Sequence, residues 1–383
     1  MSERLRFDRH ELAGAFGDIG TDLPLLIGLV TISHLDAAGT FAIYGIMQIL
    51  TGLFYGLPMP VQPLKAMAAI MLSRHLSAGT LTGGGLVVGG VMLLLSLSGL
   101  LTVVAKLVPR AVVRGIQAGL AITLGKLALV TYCRADGTRG IWLAVVALCV
   151  YLLARRQTKV PAPLFVIALG IVYALVYATP LAHAAAAFGL HLPTPHLPDL
   201  EELKNGALIL AVPQLALSLG NSVIATSTAT KDLFPDRALS VKKIGITYGL
   251  MNLIGPPLGG VPTCHGCGGF VGFYNFGART GGAPVIYGSI FVVLGLLFAP
   301  GLAEVVRLFP MPMLGVVLLL EAIALLRLTR DATKAWRELV VMLAVVAAVL
   351  FAPGGYAVAL VGGVLLSYAL AYLFDREPRR SPA

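Results

Sequence analysis

Two short stretches broken by proline and glycine hold most of the residues that could do chemistry. In the first, Gly56-Leu57-Pro58-Met59-Pro60-Val61-Gln62-Pro63-Leu64-Lys65-Ala66, Pro63 suits the first turn of a helix, which puts Gln62 at its entrance and Lys65 within that turn. The free N–H groups and partial positive charge of a helix start attract anions, and Lys65 adds a full charge. A lysine can also snorkel to a membrane surface. Lys65, however, follows a break and precedes only a short apolar run, and ionisable groups at membrane depth are functional by default. The second stretch is Gly259-Gly260-Val261-Pro262-Thr263-Cys264-His265-Gly266-Cys267-Gly268-Gly269. Its glycines, Gly266 among them, let backbone approach a ligand closely, while Thr263, Cys264 and His265 offer side-chain groups near another helix start.

Other polar residues interrupt apolar segments. Gln214, Ser218 and Asn221 fall at i, i+4 and i+7, one stripe that faces either a partner helix or a cavity. Asp18, Thr21 and Asp22 share a face of the first apolar segment, where the carboxylates could pair with Lys65, cap a break or carry a coupling proton. Glu321 is a third candidate for proton coupling, and could instead pair with Lys126 or Arg327; Gln48 and Lys126 are lesser candidates. Cys264-His265-Gly266-Cys267 offers metal ligands superficially, but a zinc site needs a second ligand pair at suitable spacing and none follows. Adjacent Cys and His rarely align as nucleophile and base, and no acyl-transfer motif accompanies them. No enzyme, metal or cofactor is expected.

The elements that must hold these residues are membrane helices. Of 383 residues, 57% are hydrophobic and only 12% charged, with mean hydropathy +0.88, where a soluble domain carries about 25% charged residues. The polar first ten residues do not read as a signal peptide. Spans are expected near 11–32, 39–56, 59–73, 84–104, 110–131, 140–154, 161–179, 205–229, 242–258, 263–276, 283–300, 311–327, 336–352 and 355–374, fourteen in all. The broken stretches open the third and the tenth. With the N-terminus inside, 21 Lys and Arg fall on the cytoplasmic side and five on the other, an asymmetry that supports this orientation and accounts for the net charge of +10 without nucleic acid. Lys65 and Lys126 alone stay within the membrane. The Pro-rich loop with His183, His191 and His196 is expected to be solvated surface.

The halves resemble each other. Gly83-Gly84-Gly85, an apolar span, Leu107-Val108-Pro109 and Gly115 follow the first break; Gly281-Gly282, an apolar span, Leu308-Phe309-Pro310 and Gly315 follow the second, about 200 residues later. Seven spans per half is odd, so the second copy must be inverted, bringing both breaks together near the midplane. The expected fold is therefore an all-α membrane protein with about 14 transmembrane segments in a 7+7 inverted repeat, segments three and ten being half-helices preceded by short extended stretches. Residues 1–180 form one repeat, 181–204 an external linker and 205–383 the other. Two helix starts at roughly +0.5 each plus Lys65 give about +2 around one point, suited to a doubly charged anion. An ionised Asp18 or Asp22 at the same cavity would spoil that balance and protonation would restore it, hence expected coupling to protons.

These motifs resemble the molybdate transporter family related to the SulP sulfate permeases. The matching pieces are Phe16-Gly17-Asp18-Ile19-Gly20-Thr21, Pro58 to Lys65, Asn221-Ser222-Val223-Ile224-Ala225, Pro262 to Gly269, and Phe276-Gly277-Ala278-Arg279. The resemblance implies molybdate uptake and the UraA/SulP-like repeat, with core helices one, three, eight and ten holding substrate. It marks Thr21, Gln62, Lys65, Asn221, Thr263, Cys264 and His265. SulP proteins usually add a cytoplasmic STAS domain, for which no place is expected after Phe374, in keeping with the molybdate branch. Asp22 and Cys267 depart from the family pattern and leave the choice of ion open. The function expected is secondary active transport of molybdate across the cytoplasmic (inner) membrane, with both termini cytoplasmic. Alternatives are a sulfate, tungstate or general oxyanion permease, a nucleobase permease, and an oxyanion sensor that moves nothing. The partners expected are the oxyanion and the lipid bilayer, with a homodimer allowed.

Overall fold

The computed structural model describes residues 5–156, 162–177, 188–308, 310–333, 335–352 and 355–374. Its helices are α1 (Arg9–Ala15), α2 (Ile19–Ile32), α3 (Ala37–Tyr55), α4 (Lys65–Arg74), α5 (Ala78–Leu97), α6 (Leu101–Leu107), α7 (Arg110–Lys126), α8 (Gly137–Ala154) and α9 (Ala162–Tyr177). There follow α10 (Leu200–Leu233), α11 (Val241–Ile254), α12 (Cys267–Asn275), α13 (Gly282–Leu308), α14 (Met311–Arg327), α15 (Trp336–Phe351) and α16 (Gly355–Phe374). Among the described residues, six helical stretches are long and apolar enough to cross a membrane: Ala37–Tyr55, Ala78–Leu97, Arg110–Tyr132, Gly137–Ala154, Leu200–Leu233 and Gly282–Ala299. The protein is an all-α membrane protein whose only described sheet is one pair of two-residue strands.

Local sequence explains the boundaries. Asp36 caps α3 by accepting the N–H groups of Ala38 and Gly39, and Gly56 ends it in the left-handed conformation, φ 62°. The extended chain that follows carries Pro58, Pro60 and Pro63, and a helix resumes only at Lys65. Asp199 and Glu202 form a capping box, so the eighth segment starts at Leu200 and not near 205. The first segment, expected as one helix over 11–32, is broken between Ala15 and Ile19. There Gly17 lies against the backbone of Gly272 in α12, an approach that a side chain would block.

Packing repeats itself with the halves exchanged. α3 packs along α13 and α11 along α5; likewise α7 meets α15 as α14 meets α8, and α8 meets α9 as α15 meets α16. Even the glycine contacts correspond: Gly45 of α3 touches Gly288 of α13, and Gly249 of α11 touches Gly89 of α5, the small-residue contact that lets membrane helices approach. α4 has 10 residues and α12 has 9, about 15 Å each, half of a bilayer core. Between them, β1 (Gln62–Pro63) pairs antiparallel with β2 (Thr263–Cys264), Gln62 opposite Cys264 and Pro63 opposite Thr263.

Candidate functional site

An extended strand at membrane depth exposes backbone groups that no water can satisfy. Here neighbouring helices supply side-chain amides. Val61 donates its N–H to Gln48 Oε1 (3.1 Å), and its carbonyl accepts from Gln48 Nε2 (2.8 Å). In the other half, Thr263 donates to Asn252 Oδ1 (2.9 Å) and accepts from Asn252 Nδ2 (2.6 Å). Each amide reads both backbone groups of one residue, as a third strand would. Tyr44 and Tyr248, one turn before each amide, are fully buried; Tyr44 donates to Asp22 Oδ2 (2.6 Å).

Beside the strand pair, at the start of α4, lies a cavity of about 20 Å³ lined by Gln62, Lys65, Gln117, Gln214, Ser222 and Cys264, with leucines closing it. That volume holds about one water. Gln62 Nε2 donates to Asp18 Oδ2 (2.6 Å), and the positions of Gly266 and Gly269 make room for the pair: a Cβ on either would overlap the Gln62 amide or the Asp18 carboxylate. Gln214 Oε1 accepts the N–H groups of Ala66 (3.0 Å) and Met67 (3.4 Å). It thus occupies the free donors of the α4 start that an anion would use. Its Nε2 donates to Ser218 Oγ (3.0 Å), which is 2.7 Å from the Tyr248 hydroxyl.

The sequence matches the family described as "Molybdate transporter of MFS superfamily" over residues 10–124 and 206–325. The chain belongs to the molybdate transporter family. Molybdate transporter 1 of Arabidopsis thaliana is 32% identical over 367 residues, covering 84% of this chain and 80% of that protein. Molybdate transporter 1 of Chlamydomonas reinhardtii is 28% identical, covering 84% and 83%. The fold is similar to the transmembrane domain of the cyanobacterial bicarbonate transporter BicA (TM-score 0.66, 15% identity, 94% of this chain and 97% of that one). It is similar also to the murine anion transporter Slc26a9 in its inward-facing state (TM-score 0.71, 12% identity, 95% and 68%). This is the SLC26/SulP fold with its inverted repeat.

Within this family member the expected site residues part company. Gln62, Lys65, Gln214 and Cys264 line one cavity, and Ser218 sits behind Gln214. His265 does not face it: its Nδ1 is 3.0 Å from the Pro60 carbonyl and its Nε2 is 2.9 Å from the Thr247 hydroxyl. Through Pro60 the ring ties the two broken stretches together, and the His265 carbonyl accepts from Thr226 of α10 (2.8 Å). Thr263 is held by its backbone, and its hydroxyl is buried with no hydrogen-bond partner among the described residues. Asp18 stands at the break in the first segment and Asp22 against Tyr44. The side chains of Thr21, Asn221 and Glu321 lie outside the described residues. No three His, Cys, Asp or Glu side chains converge among the described residues.

Sequence reasoning passed over Tyr44, Gln117, Ser222, Tyr248 and Asn252. A signal existed for the clamps, since Tyr44 and Gln48 recur as Tyr248 and Asn252 at the same four-residue spacing.

Proposed function

We propose that this transporter moves molybdate, a tetrahedral dianion, across the cytoplasmic membrane, and that the anion binds where α4 and α12 begin. The observation that carries this reading is the single cavity in which Lys65, the start of α4, Gln62 and Cys264 meet beside the strand pair. Molybdate transport by the named relatives supports the choice of ion. In this reading fourteen spans form two inverted repeats, residues 1–180 and 205–383, joined by 181–204, whose last residues already form the first turn of α10, with both termini cytoplasmic. A bundle containing α2, α4, α10 and α12 moves against α7–α9 and α14–α16, the rocking expected of such repeats.

Binding requires Gln214 to release the Ala66 and Met67 N–H groups to the anion. Those donors, Lys65, the Gln62 amide and the Ser222 hydroxyl then replace the anion's water. Thr21, Asn221 and Thr263 belong to the same proposed site, while His265 and Gly266 shape it. Asp18 and Asp22 carry the coupling proton in this account; Glu321 is the remaining candidate. A second copy of the chain is the protein partner proposed. Uptake of radiolabelled molybdate into proteoliposomes, competed with tungstate, sulfate and uracil, tests the substrate. Inhibition by tungstate at far lower concentration than sulfate supports molybdate. Equal potency would make the protein a general oxyanion carrier, and inhibition by uracil alone would overturn the reading.

A further inference from the structure

Lys126, one of the two lysines placed at membrane depth by the sequence, has no part in the central cavity. It lines a second one, of about 240 Å³, together with Ser73, Arg74, Thr123 and Tyr356 and with apolar walls from α4, α7 and α15. The two cavities share two helices at the same spacing. Lys65 to Arg74 on α4 and Gln117 to Lys126 on α7 are both nine residues, a rise of ~13.5 Å. With the N-terminus inside, the larger cavity is on the external side of the central one.

Its lining carries two cations and no carboxylate. Among the described residues neither Arg74 nor Lys126 has an ion-pair partner. Tyr356 is 8% exposed, and its hydroxyl makes no hydrogen bond of good geometry among the described residues; Thr123 and Arg74 line the cavity with it. The negative end of α4 would account for Arg74 alone. It does not account for Lys126, because α7 runs on through a π-turn over Leu127–Tyr132, nor for the buried hydroxyl. A cleft of one charge sign with apolar walls concentrates the opposite ion and speeds its capture.

We infer that Arg74, Lys126 and Tyr356 form a second oxyanion site, a loading station from which the anion passes between α4 and α7 to Lys65. This rests on the proposed direction of the chain and on a tetrahedral oxyanion as cargo. Phosphate headgroups share that chemistry, so the test separates free anion from lipid. Molybdate binding is measured by equilibrium dialysis on purified, detergent-exchanged protein carrying Lys65→Ala, which disables the central site. A weak site is expected to remain and to be lost when Arg74→Gln and Lys126→Gln are added. In proteoliposomes of neutral lipid, Arg74→Gln/Lys126→Gln with Lys65 intact should raise KM for molybdate about tenfold, leave kcat near wild type and flatten the dependence of uptake on ionic strength. Unchanged KM and salt dependence, or no residual binding in Lys65→Ala, would overturn the inference. So would an effect confined to vesicles containing anionic lipid, which would assign the cations to headgroups. A wild-type protein that transports no molybdate would defeat the proposed function and leave the dialysis result to decide the second site.

Discussion

Removing the charge at Lys65 is the perturbation with the largest expected effect on binding. Lys65 is half-buried on the first turn of α4 and lines a cavity of about 20 Å³, so an anion there must touch its ammonium group. At about 4 Å and an effective dielectric constant near 20, each unit of anion charge gains about 4 kcal/mol, and a dianion about twice that. Taking the lysine and the anion out of water returns several kcal/mol of this gain. A net loss of about 2–4 kcal/mol in Lys65→Ala follows, or about 30- to 1,000-fold in Kd. Gln117→Ala, which removes a neutral hydrogen-bonding group from the same lining, should cost about 1 kcal/mol, near fivefold. Asn221→Ala should also cost less than Lys65→Ala. Equilibrium dialysis with molybdate reads the affinities, and thermal unfolding checks that the variants fold. If Lys65→Ala bound molybdate within about threefold of wild type while remaining folded, the charge argument would be wrong.

Gly266→Ala should fold, because its new Cβ meets the flexible end of Gln62, yet it should weaken molybdate binding by displacing that amide; Gly268→Ala, with open space around it, should do neither. Asn252→Ala orphans the buried N–H and carbonyl of Thr263, at about 1–3 kcal/mol each, and should lower the thermal midpoint. His265→Ala should resemble Asn252→Ala in losing stability, since its ring ties Pro60 to Thr247 away from the cavity. If a proton enters through Asp18 or Asp22, one of Asp18→Asn and Asp22→Asn should flatten the pH dependence of uptake. Normal function of both variants, with wild-type uptake indifferent to pH and to a protonophore, would end the coupling proposal.

The two breaks were legible because proline and glycine act on the backbone wherever they stand, so Pro58 to Lys65 and Gly259 to Gly269 announced their half-helices without tertiary information. Lys65 and Gln62 were legible for the same reason. The break in the first segment was not. The segment 11–32 reads as one continuous apolar helix, and only the approach of Gly272 from 255 residues away explains why the chain opens at Gly17. The clamping roles of Gln48 and Asn252 were obscured because the backbone each amide grips lies 11 to 13 residues away, and their one signal, the recurrence of Tyr44 and Gln48 as Tyr248 and Asn252, shows only when the halves are aligned. His265 carries the residue type of a ligand-binding group, yet both ring nitrogens are engaged by protein. The π-turns of α10 at Gly206–Ala211 and Ser218–Ala225 rotate the stripe of Gln214, Ser218 and Asn221, a shift that simple i, i+4 spacing does not contain.

The central claim, an oxyanion held at the start of α4 against the strand pair, is tested most directly by a structure of the protein with tungstate, whose anomalous scattering locates the ion independently of the protein density. One strong peak is expected among Lys65, Gln62, Gln214 and Cys264, with Gln214 withdrawn from the Ala66 and Met67 N–H groups. A tungstate peak elsewhere, with Gln214 still capping α4 and the cavity empty, would contradict it.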